Sequence, residues 1–134
     1  MHRAYLLIVT ALVEAGTGLF LLVCPSIPLA LLLGAERPSL EASFLARIAG
    51  AALLAIGVAC WLARNDQGGS ALLSLLAGVL IYDVAAAALL TYAGLVLSMV
   101  GLALWPAVVL HAALAIWCVM TFWRKLGQGT KNGA

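Results

Sequence analysis

Four long apolar runs dominate this chain, at about residues 4–23, 42–63, 71–93 and 102–122, separated by short polar breaks. Each holds about 20 residues, and a helix of that length rises about 30 Å, the thickness of a bilayer's hydrocarbon core. In hydrocarbon every backbone N–H and C=O must find a partner inside the segment, so such runs fold as helices. The pattern predicts an all-α, integral membrane four-helix up-down bundle over residues 1–126, followed by a disordered cytoplasmic tail over 127–134. Composition leaves no soluble alternative. The chain is 66% hydrophobic and 9% charged, whereas about a quarter of the residues in a globular protein are charged. The net charge of +2 is scattered, with no basic–aromatic stripe, so nucleic acid is not expected as a partner and the lipid bilayer is.

The breaks set the boundaries. Cys24-Pro25-Ser26-Ile27-Pro28 ends the first span, because proline neither donates to a helix ladder nor lets its predecessor stay helical. Leu29–Leu33, closed by Gly34, is too short to cross and reads as an interfacial turn of helix. Ser39 is an expected N-cap, with Glu41 in the first turn that follows. Arg64-Asn65-Asp66-Gln67-Gly68-Gly69 makes a polar turn, with Ser70 expected as the next cap. Ala93–Gly101 reads as a hydrophobic loop or short interfacial helix, and Trp105-Pro106 falls near the start of the fourth span, where proline is tolerated. Trp123-Arg124-Lys125 closes that span at headgroup level. Arg3, Arg64, Arg124, Lys125 and Lys131 fall on one side and Arg37 on the other, which places both termini in the cytoplasm. A cleaved signal peptide is the rival reading of the first run. Val23 before Cys24 is too large for a lipoprotein box, and an acid inside the apolar region argues against it.

Each span carries one strongly polar residue: Glu14, Arg47, Asp83 and His111. Such groups cost about 2.5–3.5 kcal/mol at a span's centre on insertion scales and are functional-site candidates by default. Counted from the outer ends of their spans, Glu14, Asp83 and His111 all lie about 14–15 Å deep at about 1.5 Å per residue. Arg47 is shallower, about 8 Å down, and its side chain either reaches inward to the acids or snorkels to headgroups. Inward pairing is the expectation, because two buried carboxylates need a cation. Small residues flank each group at helical spacing (Thr10, Ala11, Thr17 and Gly18; Ser43, Gly50, Ala51 and Gly57; Ala86 and Ala87; Ala107, Ala115 and Cys118), as close-packed membrane helices require. Tyr82, Tyr92 and Thr91 add hydroxyls, with Tyr92 better placed as an interfacial anchor.

A buried Glu14/Arg47/Asp83/His111 cluster, with Tyr82 beside it, suits the binding or relay of a proton or a small polar ligand. The alternative is a non-catalytic accessory or scaffold subunit of a membrane complex, in which the network only sets helix register. No metal site is expected, because the chain has a single intramembrane histidine and no Glu-x-x-His pairing. Cys24, Cys60 and Cys118 lack metal-type spacing and read as small hydrophobes. GxSxG, HExxH, CxxC and glycine-rich phosphate loops are all missing, so enzymatic activity is not favoured.

Glu14-Ala15-Gly16-Thr17-Gly18-Leu19-Phe20, the proline-rich first loop, and the Arg47–Gly57 stretch (RIAGAALLAIG) resemble the DoxX-like small four-helix bacterial inner-membrane proteins. The resemblance covers about half the chain; Asp83 and His111 match no motif of that group. It implies a multi-pass protein of the bacterial inner membrane. Some members are linked to quinone-dependent oxidation or membrane redox complexes, which makes quinone or haem the cofactors to consider and a membrane-protein partner or homo-oligomer the assembly. One intramembrane imidazole per chain rules out bis-histidine haem within a single chain.

Overall fold

A computed structural model describes residues 2–35, 37–66 and 69–129, without the side chains of His2 and residues 124–129. Five helices follow in order: α1 (His2–Val23), α2 (Ser26–Leu33), α3 (Leu40–Ala63), α4 (Ser70–Leu95) and α5 (Leu104–Gly129). Four of them, all but α2, are long and apolar enough to cross a membrane. The chain is an all-helical membrane bundle, as its apolar runs require. Residues 127–129 of the expected tail are helical, since α5 continues to Gly129. The remainder of that tail, with Lys131, and the side chains of Arg124 and Lys125 lie outside the described residues.

Local chemistry explains most helix ends. Gly34 closes α2 in the left-handed conformation (φ 72°), which costs glycine nothing, and its N–H donates to the Ala30 carbonyl at 2.9 Å. Ser39 caps α3 by accepting from the Ala42 N–H at 3.2 Å, and Glu41 sits in the first turn beside the positive end of the helix dipole. The cap of α4 corrects an expectation. Gly69, in extended backbone, is the N-cap, and Ser70 is already helical, its carbonyl accepting from the Ser74 hydroxyl at 3.1 Å. Pro106 falls in the first turn of α5, where its missing N–H has no partner to lose.

The α4–α5 connection is a loop, not a helix, and it docks on α2. The Ala103 N–H donates to the Leu31 carbonyl at 2.8 Å, and Gly101 lies so close to the Leu32 backbone that any Cβ there would overlap it.

The helices associate as two antiparallel pairs. In the first, α1 meets α3 along a seam of small residues. A Cβ on Gly18 would fall 2.6 Å from the Gly50 carbonyl oxygen, and one on Gly57 would fall 2.7 Å from the Ala15 nitrogen. Backbones this close exchange dispersion contacts that larger side chains would forbid. In the second pair α4 packs along α5. Between the pairs, larger side chains fill the space: Leu6, Leu7, Leu72, Leu76 and Leu114, with Cys60 and Cys118, plug the end that holds the chain's N-terminus. Leu21, Ala46 and Leu53, with Leu29 and Tyr82, fill the end capped by α2. Outward-facing positions such as Leu62 and Leu89 are apolar and exposed, a surface matched to lipid tails. An apolar groove of about 680 Å³ runs between α1, α2 and α5, lined by Phe20, Ile27 and Leu110 among others.

Candidate functional site

The polar site lies between the two helical pairs, where side chains rather than backbones meet. Glu14 from α1, Asp83 from α4 and His111 from α5 converge there, with one ligand-type atom of each within 4.8 Å of the others. Helical periodicity explains why Glu14 and Asp83 face inward. On α1, Leu7, Thr10, Ala11, Glu14, Gly18 and Leu21 form one buried stripe. On α4 the stripe is Leu72, Leu76, Val79 and Asp83. Glu14 and Asp83 are 1% and 0% exposed, so neither carboxyl reaches bulk solvent.

The contacts within the group are specific. His111 Nδ1 and Asp83 Oδ1 are 2.9 Å apart, with the histidine side chain only 11% exposed. Tyr82, next to Asp83 on α4, places its ring edge-to-face with His111, centroids 5.6 Å apart and planes at 84°. Its hydroxyl lies on the side of the Glu14 carboxyl. One tyrosine therefore borders both an imidazole and a carboxyl.

Among the described residues, three buried side-chain oxygens have no hydrogen-bond partner: Glu14 Oε1, Asp83 Oδ2 and Thr10 Oγ1. Thr10 is fully buried one helical turn before Glu14. Buried acceptors without donors are rare and costly, at about 1–3 kcal/mol each and more when charged. Two ionised carboxylates within this distance would repel each other by at least about 3.5 kcal/mol at an effective dielectric of about 20. The arrangement is thus an acceptor in search of positive charge: it needs a proton, a protonated imidazole or a bound cation.

Arg47 does not supply that charge, which corrects the expected inward pairing. It is exposed, and its Nη1 donates to the Leu22 carbonyl at the C-terminal end of α1. The buried stripe of α3 runs through Ala46, Gly50, Leu53, Gly57 and Cys60, so Arg47 sits on its edge. Its side chain leans toward the N-terminus of α3, away from the acids. The last carbonyls of α1 lack helical partners and carry the negative end of the dipole, an attractive site for a guanidinium. Tyr92 is half exposed, in keeping with an anchor, and the Thr91 hydroxyl bonds back to the Ala87 carbonyl of its own helix at 2.7 Å. Of the sequence candidates, Glu14, Asp83, His111 and Tyr82 come together and Arg47 stays outside. Thr10 was legible only as a small neighbour of Glu14; its burial depends on helices remote in sequence.

Searches against protein-family models, curated proteins and solved structures found no match to this chain.

Proposed function

We propose that this small membrane protein carries an intramembrane acceptor site, in which Glu14, Asp83 and His111 bind or relay a proton or take up a small polar or cationic ligand. The observation that carries this reading is the pair of buried, unpartnered carboxyl oxygens, Glu14 Oε1 and Asp83 Oδ2, in a group whose ligand-type atoms lie within 4.8 Å of one another. Asp83 and His111, held 2.9 Å apart, form the acid–imidazole pair of the site. Glu14, with Tyr82 beside it, is the second acceptor. The protons belong to the group and not to single residues.

The same proposal sets the protein in the bacterial inner membrane with both termini in the cytoplasm, in line with its resemblance to the DoxX-like proteins. Supporting the orientation, Arg3 and Arg64 lie at the same end of the bundle, near the start of α1 and the end of α3.

The test is proton uptake by the purified protein after a pH step, read alongside the infrared carbonyl band of protonated carboxyl groups. Glu14→Gln and Asp83→Asn should each remove a band and reduce the uptake, while circular dichroism reports intact helices. Wild-type uptake and bands in both variants would overturn the assignment.

A further inference from the structure

We propose that the cation this site accepts is a divalent first-row metal ion, held by one oxygen each of Glu14 and Asp83 and by Nδ1 of His111; the inference rests on the acceptor reading above. The donor geometry is close to what such an ion requires. At bond lengths of about 2.1 Å, neighbouring ligands stand about 3.0–3.4 Å apart and opposite ones about 4.2 Å. Asp83 Oδ1 and His111 Nδ1 are 2.9 Å apart, and the three donors fit within 4.8 Å. Sub-ångström side-chain adjustment closes the difference. The unpartnered Glu14 Oε1 and Asp83 Oδ2 are available as ligands.

Charge and donor type select the metal class. Two carboxylates and a neutral imidazole sum to −2, which a divalent ion cancels and a monovalent ion leaves half uncompensated in a low-dielectric interior. Sodium, calcium and magnesium favour all-oxygen sites, whereas an imidazole nitrogen with carboxylates suits manganese, iron, cobalt or zinc. No thiolate belongs to the donor set. Tyr82 supplies support of the kind metal ligands usually have, packing edge-to-face against the His111 ring. No spacing in the chain carries such a signal, because metal motifs are local spacings and here each donor comes from a different helix.

The protein in mild detergent is stripped with chelator, equilibrated with Zn²⁺, Mn²⁺ or Co²⁺ alone, and freed of unbound metal by gel filtration. Bound metal is then measured by mass spectrometry. The expected result is about one ion per chain, with affinity falling at least about 100-fold in Glu14→Gln, Asp83→Asn and His111→Gln and unchanged in Arg47→Ala. Affinity should rise with pH, because the ligands must shed protons to bind. Should a variant misfold, pulsed EPR of Mn²⁺ in the wild type gives an independent answer: nitrogen coupling from one imidazole supports the site. Wild-type protein that retains none of the three ions, or bound Mn²⁺ without that coupling, overturns it. The two readings separate cleanly. Metal-free protein whose proton uptake still depends on Glu14 and Asp83 refutes the metal alone, and loss of both behaviours refutes the acceptor site itself.

Discussion

Two alanine substitutions on one helix should move stability in opposite directions. At Gly18 an added Cβ would stand 2.6 Å from the Gly50 carbonyl oxygen and 2.7 Å from the Leu54 nitrogen. Both are backbone atoms that no rotamer change can move aside. Restoring an ordinary contact of 3.4 Å asks α1 and α3 to separate locally by about 0.8 Å. Overpacking of this kind costs about 1–3 kcal/mol. At Gly16, two residues earlier, an added Cβ meets nothing within 4 Å. Gly16→Ala should therefore show only the backbone preference, a gain of about 0.5–1 kcal/mol. Reversible unfolding in mixed detergent–SDS micelles, followed by helicity, measures both. Equal stabilities within about 0.5 kcal/mol, the scatter expected for substitutions that touch no special feature, would refute the close-approach seam.

Other consequences follow from the same geometry. Gly57→Ala presses on Ala15, the neighbour of Glu14, so it should weaken Zn²⁺ retention as well as stability; unchanged retention would mean that α1 does not carry Glu14 with it. Arg47→Ala should leave the wild-type proton uptake of the site in place, because its guanidinium sits on the Leu22 carbonyl; loss equal to that of Glu14→Gln would restore an inward role. Tyr82→Phe keeps the ring against His111 but removes the hydroxyl from Glu14, and should lower Zn²⁺ affinity by about 10–100-fold without unfolding the bundle. Cys24 is exposed, whereas Cys60 and Cys118 are buried. A membrane-impermeant maleimide applied outside intact cells should label Cys24 alone, and labelling only after lysis would invert the proposed orientation.

Class and span number were legible without coordinates because hydrocarbon leaves the backbone few options. Once the apolar runs are long enough, the helix is the conformation that satisfies every N–H and C=O within each run. Helix ends were legible where one residue governs them, as at Gly34 and Ser39, and missed where two neighbours compete, as at Gly69 and Ser70. Depth along the membrane was also readable, since it only counts residues from a boundary: Glu14, Asp83 and His111 do share a level and meet.

Rotation about the helix axis was not readable to the same degree. Arg47 lies one position from the buried Ala46 and three from the buried Gly50, so a small turn of α3 decides between the acids and the end of α1. That turn is set by how Gly18, Gly50 and Gly57 bring two backbones together, a contact between segments some 30 residues or more apart in sequence. The sequence determined that this chain crosses a membrane four times and carries ionisable groups within those crossings. Only tertiary packing decided which groups share a buried space, because side-chain direction at a helix interface depends on the neighbouring helix as much as on the residue's own.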